Sequence, residues 1–515
     1  MHITEETTLT KEELAAKVWG ILNKLRTKIK AAEYKDYILG FIFYKFLSDE
    51  EEVFLASIGS SKEDLKDING AAIDYIKTSK GYYIAYDNLY SVWADNNSLL
   101  ASDVSKALQD FNNNIDEAYK DVFNNIFSVL QNGLTKLGDT SGARDKACRD
   151  IIDSITEIPA TSDHYDVLGY IYEYIIGQFA TTAKEDGAFY TPHEVSNVIA
   201  KIIANHLKDR NKVAIYDPTC GSASLLMQVG EEVSRYVDKN NIEYFGQELI
   251  NDTYNLSRMN LTMKGVPAPN ILIRNGDTLE DDWPYFDEVT AYKPVYVDAC
   301  ISNPPYSLKW EPDRHDTDAR FKDYGLAPSS KADYAFLLHC LYHLKSDGMM
   351  GIVLPHGVLF RGGSEGVIRQ KLLENHQIET IIGLPGNLFF NTSIPTIIMF
   401  LKKNRTKSDV LFIDASSEFK KEKKQNVLQP ENIEKIIKAV EDRKDIDKFA
   451  HLATFDEIKE NDYNLNIPRY VNTFEEEEEI DLDEVRAELD KINSDEKKCL
   501  AEINSMMAEL GLAGI

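Results

Sequence analysis

Between residues 166 and about 415 the chain alternates short apolar runs with amphipathic stretches, and this alternation limits the fold more than any other feature. The runs are Val213–Tyr216, Tyr244–Gln247, Ile271–Arg274, Val295–Ile301, Met349–Leu354, Ile378–Gly383 and Thr396–Leu401. Helical spacing fills most of the gaps between them. The pattern predicts an α/β fold, a parallel sheet with helices on both faces. Such sheets bind ligands at the carboxyl ends of their strands. Polar clusters that directly follow an apolar run are therefore the candidates for a site.

The flanking regions read differently. Residues 1–165 are predicted as an N-terminal helical domain. Thr10 with Glu13 makes a capping box, and Leu14, Val18, Ile21, Leu22 and Leu25 follow at helical spacing. The run Tyr37–Leu47 contains Lys45 and is too short for a bilayer span, so it is predicted as a buried helix. The sheet domain is drawn over 166–470, although 416–470 is charged and its elements are unassigned. Residues 471–515 open with the acid run Glu475–Glu479 and continue as a predicted C-terminal helix. Leu482, Val485, Leu489, Ile492, Cys499, Ile503, Met506 and Leu510 keep a 3–4 spacing broken at Glu496. That stripe suits either packing on its own domain or docking of another subunit.

Composition narrows the function classes. With 43% hydrophobic residues a large core is expected, and no apolar run reaches transmembrane length. The start of the chain lacks a signal-peptide pattern, so a cytoplasmic protein is expected, away from membranes. Five widely spaced cysteines argue against a zinc site and a disulfide framework. Lys and Arg number 57 against 85 Asp and Glu, so the net charge is 57 − 85 = −28. Phosphate neutralisation needs cations, so this chain is expected to grip DNA weakly without a partner.

Four clusters fall at strand ends. Asp217-Pro218-Thr219-Cys220-Gly221-Ser222-Ala223-Ser224 follows the run Val213–Tyr216 and precedes a helical pattern. Its small residues let backbone approach a ligand, beside the free N–H groups of a helix start; a plain tight turn is the alternative. Glu248 ends the next strand, where an acid commonly accepts from ribose hydroxyls. Asn275-Gly276-Asp277 ends the third and could be an ordinary turn. Asn303-Pro304-Pro305-Tyr306 decides the reading. Two prolines remove two backbone donors and stiffen the turn. They leave an amide oxygen, a carbonyl and an aromatic ring on a rigid shelf, which suits recognition of a planar amine.

Asn303–Tyr306 resembles the catalytic motif of amino-group methyltransferases. Asp217–Ser224 resembles their S-adenosylmethionine loop, and Gly187-Ala188-Phe189-Tyr190-Thr191-Pro192 their upstream cofactor motif. The order of the three is that of the gamma-class adenine-N6 DNA methyltransferases. Tyr37–Phe43, Ala332-Asp333-Tyr334-Ala335-Phe336, Gly348–Pro355 and Ser393-Ile394-Pro395-Thr396 with Phe400–Lys403 are similar to the modification subunit of type I restriction–modification systems. One departure is Ala223, where that family usually has Gly. Ala is compatible with cofactor binding if its φ is negative.

The resemblance implies a Rossmann-like S-adenosylmethionine-dependent methyltransferase sheet with an N-terminal helical domain and a C-terminal helical tail. It implies that Gly187, Ala188, Phe189, Tyr190, Thr191, Pro192, Asp217, Gly221, Ser222 and Ala223 surround the cofactor's methionine part. Glu248 would bind its ribose and Asp277 its adenine amine. Asn303, Pro304, Pro305 and Tyr306 would hold and stack a flipped adenine; Phe389 and Phe390 are lesser candidates for the base's other face, with core packing the preferred reading for both. The implied partners are DNA, a specificity subunit, a restriction subunit and a second copy of this chain. No metal is expected, and no catalytic cysteine. Two alternatives stay open on the residues alone: a protein or RNA substrate for the same shelf, and a scaffold that has lost activity.

Overall fold

Helix α1 (Ala31–Ser57) carries the run Tyr37–Leu47, and every residue of that run is buried. Lys45 is tolerated inside because its ammonium meets Asp49 one turn on. Tyr44 stacks on Trp93 at 4.6 Å, and shorter helices as far as Ser141–Thr156 pack around α1. The computed structural model describes residues 15–16, 19–20, 31–156, 174, 191–282, 294–389, 393–422, 425–473 and 482–513. The Thr10–Glu13 cap and the helix expected through Leu14, Val18, Ile21, Leu22 and Leu25 lie outside the described residues, as do Gly187, Ala188, Phe189, Tyr190 and Phe390.

Among the described residues nine strands form one sheet: β1 (Val213–Asp217), β2 (Ile242–Glu248), β3 (Ile271–Asn275), β4 (Val297–Ser302), β5 (Leu344–Pro355), β6 (Ile378–Gly383), β7 (Thr396–Lys402), β8 (Val410–Asp414) and β9 (Ala450–Ala453). Their spatial order is β9-β8-β6-β7-β5-β4-β1-β2-β3. Side chains alternate across a strand, and β1 shows the consequence. Val213 and Ile215 enter one apolar cluster with α2 (His193–Leu207) and α3 (Ser224–Val233). Ala214 and Tyr216 enter a second cluster with α5 (Asp333–Tyr342) on the opposite face. Helix α4 (Asn251–Met263) follows β2 and joins the sheet to the N-terminal helices. From α4 the buried Arg258 donates to the carbonyls of Asp121, Val122 and Asn124.

The sheet is mostly parallel, as expected, but not throughout. β7 is antiparallel to both β5 and β6, and β9 is antiparallel to β8. A parallel return needs a crossover of a dozen or more residues, usually helical. Among the described residues of 384–395, between β6 and β7, there is no helix, and β7 pairs with β6 antiparallel.

The unassigned 416–470 stretch completes the fold. Helix α6 (Pro430–Asp442) starts with Pro at its first position and buries Ile433, Ile436 and Ala439. Contacts group residues 1–471 as one compact unit and 472–515 as another. The second unit contains helix α7 (Leu482–Glu509), on which Val485, Leu489, Ile492, Ile503 and Met506 are exposed. No described helix is long and apolar enough to cross a membrane.

Candidate active site

The strand order reverses at β1, which pairs with β2 on one side and β4 on the other. Ligands bind at such a switch point. The turn after β1 and the Asn303–Tyr306 shelf after β4 are therefore neighbours. Thr219 bridges them: its amide donates to Asp217 Oδ1 at 2.9 Å, and its hydroxyl lies 2.8 Å from that of Ser302.

The Asp217–Ser224 turn is tied down on all sides. Cys220 N–H donates to the Gln247 carbonyl, Gly221 N–H to Glu248 Oε2 at 3.0 Å, and Asn260 Nδ2 to the Ser222 carbonyl at 2.6 Å. A side chain on Gly221 would enter open space, so the turn presents bare backbone to a ligand. Gly221 and Ala223 both have left-handed backbone, at φ 53 and 62. The condition set for Ala223, a negative φ, is not met: this alanine holds a conformation that favours glycine. Beside the turn runs a groove lined by Asn197, Ser222, Ser224 and Asn260. Asn197 and Asn260 each keep a buried side-chain oxygen without a partner there.

Acids ring the strand ends. Burial, reinforced by Glu248, raises the Asp217 carboxyl to about 7. Burial also raises Glu248, against the amides of Ile250 and Gly221 that stabilise its charge. Asp277 Oδ1 accepts from Leu279 N–H at 2.9 Å, and the next residue, Thr278, donates its hydroxyl to the Pro218 carbonyl. Burial, with Asp217 and Glu248 nearby, pushes the Cys220 thiol up; burial and Cys340 do the same to Cys300. Neither has thiolate character.

On the shelf, buried Asn303 donates Nδ2 to Thr191 Oγ1 at 3.0 Å and accepts on Oδ1 from the Tyr306 hydroxyl at 2.7 Å. The upstream motif, seen here as Thr191 and Pro192, thus meets the shelf directly. Phe389 is buried and edge-on to Tyr306, with ring centroids 6.2 Å apart. Burial and the nearby Asp333 push the Tyr306 phenol up.

Sequence reasoning missed the layer behind the shelf. Asp333 accepts the amide of Ser307 at 2.9 Å and Arg361 Nη1 at 3.2 Å. Arg320 is buried among carbonyls of the 277–282 turn. The fold also gathers Asp282, His339 and His343, a grouping with metal-ligand residue types that the sequence reading did not see. It is saturated with hydrogen bonds. His339 Nδ1 faces the Arg320 guanidinium at 3.0 Å, and His343 reaches the Val295 carbonyl and Asp282. A guanidinium in that position competes with a cation for the same lone pair.

The family described as N-6 DNA Methylase matches residues 163–479, and the HsdM N-terminal domain matches 14–153. The chain belongs to the N-6 DNA methylase family. It is 35% identical to the type I restriction enzyme MpnII methylase subunit of Mycoplasma pneumoniae, over 96% of this chain and 95% of that one. The MjaVIII methylase subunit of Methanocaldococcus jannaschii is 32% identical, over 95% and 85%. The crystal structure of a type I restriction-modification methyltransferase subunit from Streptococcus thermophilus superposes with a TM-score of 0.82 at 42% identity, covering 90% of this chain and 100% of that one. This N-6 DNA methylase is thus an adenine-N6 DNA methyltransferase of a type I system. The alternatives of a protein or RNA substrate and of an inactive scaffold give way.

Proposed function

We propose that this chain transfers a methyl group from S-adenosylmethionine to the N6 amine of an adenine flipped out of duplex DNA, with Asn303, Pro304 and Tyr306 holding the base. The observation that carries this reading is the contact between Asn303 and Thr191, which sets the amine shelf against the cofactor motif.

The residues present fit S-adenosylmethionine. Gly221 opens onto free space, Glu248 and Asp277 offer acceptors for hydroxyl and amine donors, and the orphaned oxygens of Asn197 and Asn260 suit an ammonium group. Carboxylates around the turn suit a cation. Gly187, Ala188, Phe189, Tyr190, Thr191, Pro192, Ser222 and Ala223 complete the proposed pocket. When bound, the cofactor supplies an electrophilic methyl group on a sulfonium.

Flipping the base costs a few kcal/mol, which the pocket must return. Asn303 Oδ1 has two lone pairs: one takes the Tyr306 hydroxyl, and the other is left for an amine N–H. The Pro304 carbonyl accepts the second N–H. Together they turn the amine's lone pair out of conjugation and towards the methyl group. Tyr306 stacks on the base, with Phe389 setting the ring's angle. Its raised phenol stays protonated and is no general base, so the amine sheds its proton to solvent after alkylation. Positioning supplies much of the rate.

A separate specificity subunit reads the DNA sequence, two copies of this chain flank it, and a restriction subunit joins them. The net charge of −28 supports a partner that grips the DNA. The exposed stripe of α7 supports its use as a docking helix, with domains at 1–165, 166–470 and 471–515. The complex works in the cytoplasm. In the test, Asn303→Ala abolishes adenine methylation by the assembled complex while S-adenosylmethionine binding, followed by calorimetry, stays nearly intact. Undiminished methylation would rule out the role given to Asn303.

A further inference from the structure

Arg320 lies in the segment that runs on from the Asn303–Tyr306 shelf, yet its guanidinium is spent on the far side of the site. Nη1 donates to the Thr278 carbonyl at 2.8 Å and to His339 Nδ1 at 3.0 Å. Nη2 donates to the Leu279 carbonyl at 2.8 Å and to Asp318 Oδ2 at 2.7 Å, and Nε donates to Asp318. All five N–H donors of the guanidinium are therefore used. The carbonyls it holds belong to the two residues after Asp277, the proposed acceptor of the cofactor's adenine. Thr278 in turn holds Pro218 of the cofactor turn.

The hub extends beneath the sheet. Facing a guanidinium, His339 Nδ1 can only accept, so its proton sits on Nε2, 2.9 Å from the Tyr216 hydroxyl. That hydroxyl donates to Gln247 Oε1, and Gln247 Nε2 donates to the Asp281 carbonyl at 3.3 Å. Movement of the backbone at Asp318 and Arg320 must therefore move the 277–282 turn or break buried hydrogen bonds, which is costly.

We infer that Arg320 is a positioning residue that couples the target-amine shelf to the cofactor's adenine pocket, so that DNA and S-adenosylmethionine each tighten the other's binding. This rests on the proposed function. Coupling is reciprocal in binding, which gives it a readout that a merely structural role would not move.

The experiment uses the assembled methyltransferase complex. S-adenosylmethionine affinity is measured by calorimetry with and without a saturating duplex that carries the target sequence, for wild type, Arg320→Lys and Asp318→Asn. The second variant leaves the guanidinium in place and loosens its carboxylate anchor, together with the contacts of Asp318 to the Arg320 amide and to His315, so it covers the case in which the first fails to fold. The duplex is expected to tighten cofactor binding at least about fivefold in wild type, with most of that factor lost in Arg320→Lys and part of it in Asp318→Asn. A wild-type ratio near one, or an unchanged ratio in the variants that fold, overturns the coupling and leaves the cofactor reading standing. Wild type that binds no S-adenosylmethionine overturns both.

Discussion

The amide of Gly221 donates to Oε2 of Glu248 across 3.0 Å, so the turn after β1 and the acid that ends β2 hold each other before any ligand arrives. Glu248 Oε1 is engaged as well, by the amide of Ile250 at 2.8 Å. Both oxygens therefore act as acceptors. Glu248→Gln keeps the volume but turns an NH2 group towards one of these two donors. It also removes the charged acceptor proposed for the ribose hydroxyls. A hydrogen bond to a charged group contributes about 1.5–3 kcal/mol, so the variant is expected to bind S-adenosylmethionine roughly ten- to a hundredfold more weakly. Calorimetric titration reads this, and an unaltered affinity would remove Glu248 from the pocket.

Ala223 is the position where a glycine should be tolerated without loss. Its φ of 62 costs a non-glycine residue about 1–2 kcal/mol. Its buried methyl returns about 0.8 kcal/mol of that. Glycine also frees the unfolded chain, at a cost of about 0.4–1 kcal/mol, so these terms nearly cancel and Ala223→Gly is expected to change stability by less than about 1 kcal/mol, with cofactor affinity maintained or improved. The midpoint of denaturant unfolding measures it. A clear drop in that midpoint would contradict the left-handed backbone at this position.

The same residue shows where sequence reading stops. Alanine prefers negative φ, so nothing in its identity announces a left-handed turn; only the closure of Cys220 and Gly221 onto β2 imposes it. Strands β1 to β7 were legible because apolar runs bounded by turn residues have few other uses. The direction of β7 was not, since a strand's side-chain period is the same whichever way it runs. Helix α6 has Ile433 and Ile436 at helical spacing, but the charged residues around them masked the stripe. At the site, Asp217, Glu248, Asp277 and Asn303 stand at strand ends and could be picked out from the pattern. Asp333 fell within a recognised motif, but its role needed the position of Ser307. Arg320 and the Asp282, His339 and His343 grouping depend on contacts between distant segments, which no local window contains.

Asp217 gives the cofactor pocket a pH response. Burial and Glu248 raise its carboxyl to about 7, so in the ligand-free protein it protonates as pH falls through that value. A cationic cofactor favours the charged form. S-adenosylmethionine affinity is therefore expected to rise between about pH 6 and 8, by up to roughly tenfold per unit below the midpoint. Stability runs the other way. A carboxyl with a raised folded-state value contributes stability that is fully present below its ordinary range and is lost as pH rises through about 7. Melting of the ligand-free protein should fall accordingly between about pH 4 and 7 and level off above, and Asp217→Asn should flatten both profiles. Parallel profiles in wild type and variant would show that another group titrates.

Asp333 should govern rate without governing cofactor affinity. Its Oδ1 accepts the amide of Ser307, whose φ of 54 places it in left-handed backbone directly after Tyr306. Its Oδ2 takes Arg361, which Glu365 also holds. The carboxylate is fully buried, so the turn that aims Tyr306 depends on an anchor that water cannot replace. Asp333→Asn puts an NH2 group against one of these donors and costs about 2 kcal/mol of local interaction. A misplacement of the shelf by a fraction of an ångström is enough to lower kcat between about ten- and a hundredfold. The Asp217–Ser224 turn has its own anchors in Gln247, Glu248 and Asn260, so S-adenosylmethionine affinity measured without DNA should stay close to wild type, and only its tightening by DNA should be reduced. Single-turnover methylation of a target duplex, set beside calorimetric cofactor binding, separates the two effects. Equal losses in both would mean that Asp333 supports the whole sheet edge rather than the shelf.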